Sequence, residues 1–199
     1  MSMHPEDAAK TISEYDYGVH CLVIYSDLSV LRKFYSHYIP KQINDKEEII
    51  QIMPFYETGE SVRQVLYKGY NEMNTAKTID GDEEGKEGKE QLKENSLLII
   101  DSLRKYSGQK KAESIWNDHE EMVKYANGLG KNRVSSMGDM GSFLFEKRIE
   151  DLVNYELRLP RRFEINLKGI CLYHHKDFDR VSEDQKQTII NQHEIAIRI

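Results

Sequence analysis

"VHCLVIYSDLSVLRK", residues 19–33, begins as an apolar, β-branched and aromatic run and then changes its period. Val19 to Tyr25 lacks the polar alternation of a one-sided strand, so it predicts a strand buried on both faces, as in a parallel sheet. Ser26 and Asp27 are helix-capping residue types. Leu28, Leu31, Phe34, Tyr35, Tyr38 and Ile39 then recur at helical spacing until Pro40, where the helix is expected to stop. A strand feeding a helix is the unit from which parallel α/β folds are assembled.

The same alternation continues on the C-terminal side. "EEIIQIMPF" (47–55) predicts a second strand ended by Pro54, and Val62, Val65 and Leu66 a short amphipathic helix. "TAKTI" (75–79) and "LLIID" (97–101) predict a third and a fourth strand. The segment between them, "DGDEEGKEGKEQLKEN" (80–95), is too polar to bury and predicts a solvated loop. Ile115, Trp116, His119, Met122, Val123 and Ala126 stripe one helix face, with Gly128 as its C-terminal cap. "NRVSSM" (132–137) predicts a fifth strand, and Phe143, Ile149, Leu152, Val153, Tyr155 and Glu156 a helix stopped by Pro160. "GICLYHH" (169–175) predicts a sixth strand. The last helix opens at Ser182, with Gln185 at capping-box distance. The expected fold is a three-layer, Rossmann-like α/β domain: a mostly parallel central sheet with helices on both faces, spanning 19–199 after an N-terminal extension, 1–18.

Composition narrows the function. The chain has 199 residues, enough for one sizeable core, with 39% hydrophobic and 31% charged residues. A formal charge of -6 gives no basic footprint for nucleic acid, so no direct nucleic-acid partner is expected. No apolar run is long enough to span a bilayer, and Cys21 and Cys171 lie in strand-like runs suited to buried thiols. The expectation is a cytoplasmic protein with no membrane contact.

"LLIID" ends in Asp101, as does a strand that brings a carboxylate to magnesium in ATP-hydrolysing proteins. The partner feature would be G-x-x-x-x-G-K-[ST] between a strand and a helix. After the first strand stands "SDLSVLRK", without glycine; "GDEEGKE" (81–87) has the wrong spacing, and "GLGKN" (128–132) follows a helix and precedes a strand. Asp101 is better read as a cap on the next turn. "DGDEEGKEGKEQ" (80–91) begins like a calcium loop, but Gln91 replaces the bidentate glutamate. His174 and His175, adjacent on a strand, would point to opposite faces. His119 has no second histidine four residues away. His20 opens the first strand and His193 lies on the apolar face of the last helix, each a core histidine or a pocket residue. No spacing predicts a catalytic residue, a metal site or a cofactor.

Ligands of open α/β sheets bind beyond the carboxyl ends of the strands. There the sequence places Phe55, Tyr56, Tyr106, Met137, Met140 and Phe143 as an apolar lining, with Glu57, Asp101, Arg133 and Asp139 as polar contacts. The alternative is that these residues complete the core.

"HCLVIY", "GDMGSFLFE" with "NYE" behind it, "ICLYHHKDF" and a final helix containing "NQHE" together resemble the MEDS domain, the sensory domain of methanogen and methylotroph regulators. The resemblance covers nearly the whole chain through short motifs. It implies a RecA-like, KaiC-related fold without its nucleotide loop, and site positions at His20, Tyr25, Met140, Glu156, Cys171, Tyr173 and His193. Asp139 stands where the family more often has glutamate, and "PKQINDKEE" replaces a glycine-rich turn; both departures bear on the ligand more than on the fold. Family members are understood to sense small organic compounds and are often fused to a DNA-binding or kinase module, neither of which is visible in this sequence. The expectation is a stand-alone sensory module that binds a small organic ligand and signals to a partner protein or a second copy of itself. Two alternatives are a non-hydrolysing RecA-like interaction subunit and an enzyme using Glu57, Asp139 or Glu156 with His20 or His193.

Overall fold

The computed structural model describes residues 2–46, 48–67, 96–106 and 112–199. The strand expected at 75–79 and the polar loop at 80–95 lie outside these. Strand β1 (His20–Tyr25) is buried at every position, as its unbroken apolar run requires. It is followed by α2 (Leu28–Lys46), β2 (Ile49–Met53), α3 (59–67), β3 (Leu97–Ile99), α4 (Ser102–Tyr106), α5 (Ala112–Gly128) and β4 (Val134–Asp139). Then come α6 (Gly141–Phe145), α7 (Ile149–Arg158), β5 (Leu167–His174), α8 (His175–Phe178), α9 (Glu183–Gln192) and β6 (Ile195–Arg198); α1 (Pro5–Glu14) precedes β1. The six strands form one sheet in the order β3-β2-β4-β5-β1-β6, and every pairing is parallel.

Side chains alternate between the two faces of this sheet with the two-residue period of a strand. Cys21, Val23, Tyr25, Ile50, Ile52, Met137, Ile170 and Leu172 pack with Phe34, Tyr38 and Ile39 of α2 and Ala8, Ala9 and Ile12 of α1. Leu22, Ile24, Ile49, Met53, Val134, Cys171 and Tyr173 face the opposite layer, where Ala126, Phe143, Leu144, Leu152, Tyr155 and Ile189 come from α5, α6, α7 and α9. Both faces are thus covered, in agreement with the three-layer expectation.

Four local expectations change. Helix α2 runs through Pro40 to Lys46, because Gln42 and Ile43 extend its buried face and outweigh the hydrogen bond that proline removes. The stripe from Phe143 to Glu156 is two helices, broken where Lys147 takes φ 59°. The turn after α5 is made by Gly130, at φ 72°, rather than by Gly128. Strand β5 ends at His174 and His175 opens α8, so their rings lie 4.7 Å apart instead of on opposite faces.

Besides the short helices α4 and α8, two elements were not expected. α1 buries only Pro5, Ala8, Ala9 and Ile12 among its apolar residues, yet Lys168 Nζ donates to the carbonyls of Ile12 and Ser13 at 3.1 Å each and fastens its last turn. β6 is a four-residue edge strand beyond β1. The capping box of α9 has both of its hydrogen bonds, Ser182 with Gln185. No helix among the described residues is long and apolar enough to cross a membrane.

Gly169 sits mid-strand in β5, where an added Cβ would lie 2.7 Å from the Phe163 ring. Gly169→Ala is expected to destabilise the protein by about 1–3 kcal/mol through overpacking. Urea unfolding checks this, and an unchanged or raised midpoint would show that Phe163 yields freely.

Candidate functional site

The place where a RecA-type ATPase would hold phosphate is the end of β1 and the start of α2. The orphan N–H groups of a helix N-terminus attract anions. Asp27 already occupies them: its Oδ1 accepts from Ser29 N at 2.8 Å, Val30 N at 3.1 Å and Ser29 Oγ at 2.5 Å. A phosphate approaching this turn would meet a carboxylate. Asp101 has an equally local task, since it is exposed and accepts the Arg104 N–H at 2.9 Å to cap α4.

The strand-end acid that faces β1 is Asp139, at the end of β4. Its Oδ2 accepts the Tyr25 hydroxyl at 2.7 Å and its Oδ1 accepts the Gly141 N–H at 2.9 Å. Burial pushes its pKa up to about 7 despite these two bonds, and the nearby carboxylates of Asp177 and Glu57 push the same way. Glu57 is held by Arg32 at 2.9 Å, and Asp177 by Arg180 at 3.4 Å and by the Tyr56 hydroxyl. A run of rings joins these acids through the Tyr25 and Tyr56 hydroxyls: Tyr25 to His174 at 5.3 Å, His174 to Tyr56 at 5.4 Å, Tyr56 to Phe55 at 4.8 Å and Phe55 to Phe145 at 5.8 Å. Its outer end is open to solvent, with Tyr56 41% and Phe145 68% exposed. Gly141 permits this arrangement, because a Cβ there would come within 2.5 Å of the Phe55 ring. Aromatic rings beside carboxyl groups suit an apolar or cationic organic molecule and disfavour a polyanion.

A second polar group of residues lies inside the layer between the sheet and α7 and α9. His20 Nε2 is 3.3 Å from Cys171 Sγ and 3.8 Å from Glu156 Oε2. Glu156 Oε2 is also 3.7 Å from Cys171 Sγ and 3.5 Å from His193 Nε2, while its Oε1 accepts the Tyr173 hydroxyl. The His20 and His193 rings lie 3.9 Å apart. Burial holds His20 well below the usual histidine range, aided by His193, and raises the Glu156 carboxyl and the Cys171 thiol. A cavity of about 10 Å³, room for a single water, borders His20 and Cys171 beside Tyr106, Met140, Tyr155 and Phe163.

The sequence-predicted pocket is therefore divided. Phe55, Tyr56, Glu57 and Asp139 meet at the carboxyl edge, joined there by Tyr25. His20, Tyr106, Met140, Glu156, Tyr173 and His193 belong to the interior layer, where Phe143 stacks on Tyr155 at 5.7 Å instead of reaching the edge. Three residues do not join either group: Asp101 caps α4, Met137 is buried on the other face, and Arg133 precedes β4 at the opposite end, with its guanidinium 5.5 Å from the Tyr17 ring. His193 is the C-cap of α9 and not a face residue. The edge residues that sequence reading missed are His174, Asp177, Phe145 and Arg32. The rule that finds ligands beyond strand ends, applied also to "HHKDF" after β5, would have found the first two.

No family model matches the sequence, and no curated protein matches it. Among solved structures, the chain superposes on a KaiC-like protein from the hyperthermophilic archaeon Pyrococcus horikoshii with a TM-score of 0.52 at 11% identity, covering 92% of this chain and 73% of that one. A second Pyrococcus horikoshii protein matches with a TM-score of 0.48 at 13% identity, over 99% of this chain and 88% of that one. The likeness is one of fold: the chain has a KaiC-like, RecA-type α/β architecture.

Burial holds the Asp139 carboxyl up at about 7, against the ordinary aspartate value of 3.8. Between those values the native state holds a proton that the unfolded chain has lost. Its contribution is complete below the lower value and disappears as pH rises through the upper one. The Asp139 share of the stability measured in urea, on the order of a few kcal/mol, is expected to fall from pH 5 to pH 8, while His20 and His119, held low by burial, pull the other way up to the ordinary histidine range. Asp139→Asn removes that share, while Glu48 and Glu156, also raised by burial, keep theirs. An unaltered slope in the variant would contradict the assignment.

Proposed function

We propose that this chain is a regulatory module on a KaiC-like core that binds a small organic molecule at the carboxyl edge of its sheet, as the MEDS sensory domains it resembles are understood to do. The observation that carries the reading is the run of rings from Tyr25 to Phe145, tied at one end to the buried carboxyl of Asp139 by the Tyr25 hydroxyl. This wall combines apolar faces with a few convergent polar groups, the usual make-up of a small-molecule site. Arg32 and Arg180 each hold another acid, which leaves the edge suited to a neutral or positively charged guest. The Asp27 cap on α2 supports a role other than nucleotide hydrolysis.

Binding would be read by the elements that carry the wall. Tyr56 bonds Asp177 at the start of α8, and Asp139 bonds the first residue of α6, so a guest between the rings presses on both short helices. Signalling then passes to a partner protein or to a second copy of the chain. A second reading, an interaction subunit that binds no small molecule, is favoured by the exposure of Phe145, an aromatic ring in water on the same wall.

The test is a thermal-shift panel of short alkylammonium ions, neutral hydrocarbon derivatives and ATP with magnesium, followed by calorimetry on any stabilising compound. One organic class is expected to raise the melting temperature, Tyr56→Ala to weaken its binding at least tenfold, and ATP with magnesium to give no shift. A shift with ATP and magnesium, or equal organic binding in Tyr56→Ala, contradicts the proposal. Concentration-dependent self-association that Phe145→Ala abolishes, with no compound bound, replaces it with the interaction-subunit reading.

A further inference from the structure

We propose that His20, Glu156, Cys171 and His193 form a binding site for one divalent transition-metal ion of the zinc class, separate from the edge wall and sharing no residue with it. The four side chains come from β1, α7, β5 and the end of α9, and one donor atom from each lies within 4.8 Å of all the others. Metal bonds of about 2.0 Å to nitrogen or oxygen and 2.3 Å to sulfur place the ligands of a one-sulfur tetrahedral site about 3.3–3.5 Å apart. The measured separations are 3.3 Å for His20 Nε2 to Cys171 Sγ, 3.5 Å for His193 Nε2 to Glu156 Oε2, 3.7 Å for Cys171 Sγ to Glu156 Oε2 and 3.8 Å for His20 Nε2 to Glu156 Oε2. Four of the six edges thus lie close to this geometry, and the other two, from His193 to His20 and to Cys171, are within 4.8 Å, so the ligands would draw in around an ion.

The hydrogen bonds around the cluster orient its lone pairs inward. His193 Nδ1 lies 2.7 Å from the Ile189 carbonyl, which can only accept, so the ring proton sits on Nδ1 and Nε2 presents a lone pair. That Nε2 is buried without a hydrogen-bond partner and faces a carboxylate oxygen, two acceptors directed at one point. A cation between them resolves the conflict. His20 Nδ1 is buried without a hydrogen-bond partner, while the Tyr173 hydroxyl takes the other oxygen of Glu156 and leaves Oε2 for the ion. Partners of this kind commonly fix the orientation of metal ligands.

Charge leads to the same conclusion. His20 and Glu156 are 0% exposed, His193 2% and Cys171 4%. A thiolate, a carboxylate and two neutral imidazoles carry two negative charges, and a divalent ion brings the buried set to neutrality. The mixed sulfur, nitrogen and oxygen donors suit zinc or cobalt better than magnesium or calcium. With four protein donors and no open position, the ion would hold the fold together or register metal supply, and would not activate water. On binding, the Cys171 S–H bond breaks, a metal–sulfur bond forms and the proton leaves to solvent, as does any proton on Glu156.

The test uses the full chain, stripped with a chelator and checked for native circular dichroism, then titrated with Co²⁺ and with Zn²⁺ alone. One equivalent of Co²⁺ is expected to bind and give a thiolate-to-cobalt charge-transfer band, which Zn²⁺ abolishes by displacement. Cys21→Ala keeps the band, Cys171→Ser loses it, and His193→Gln weakens Zn²⁺ binding at least tenfold. X-ray absorption of the zinc-loaded wild type needs no variant and should show one sulfur among nitrogen and oxygen neighbours. A folded wild type that takes up no stoichiometric ion, or that binds one with no sulfur neighbour, overturns the proposal and leaves a proton-sharing cluster in its place.

Discussion

A parallel sheet covered on both faces leaves a polar side chain two places to go, the strand ends or a partnership inside, and the arrangement of this protein follows from that constraint. Every residue of β1 is buried, so its one histidine must find polar company in the interior layer. Glu48 illustrates the same rule on the other face: it is fully buried at the mouth of β2, accepts from the hydroxyls of Tyr17 and Ser135, and lies near Lys168 and Arg133. Ser135 also meets the Tyr38 hydroxyl at 2.8 Å, and Ser136 donates to Gln51 at 2.9 Å across β4 and β2. These bonds offset the cost of removing each group from water and fix the register of the central strands.

The carboxyl edge and the interior cluster are two answers to this constraint with different consequences. At the edge, Asp139 lies beside rings that open to solvent, so its surroundings can be altered by a guest. In the interior, Glu156 and its neighbours are sealed, and only a species as small as a water, a proton or an ion fits among them. β5 connects the two, since it carries Cys171 and Tyr173 into the cluster and His174 onto the edge wall.

Much of the architecture was legible because long apolar runs and capping residues are local signals. β1, β2 and β5 announce themselves by unbroken burial, and Ser182 with Gln185 marks the start of α9. β6 was not legible: Ile195–Arg198 is four residues long and takes its meaning from lying beside β1. α1 was hidden because its core contribution is two alanines and one isoleucine, which stand out only against α2. The site divides in the same way. Strand-end reasoning found Tyr56 and Asp139, but which face Met137 or Tyr106 occupies depends on register, and a one-residue shift reverses it. The cluster of His20, Glu156, Cys171 and His193 has no sequence spacing to read, because its members are joined by topology alone.

The central claim is that a KaiC-like core works here through an organic guest at its edge and without nucleotide. Native mass spectrometry of the protein as purified tests it most directly, because bound molecules are weighed with the chain. The account predicts a fraction carrying a small organic mass that exchanges for an added compound of the same class. A retained ADP or ATP mass would contradict it.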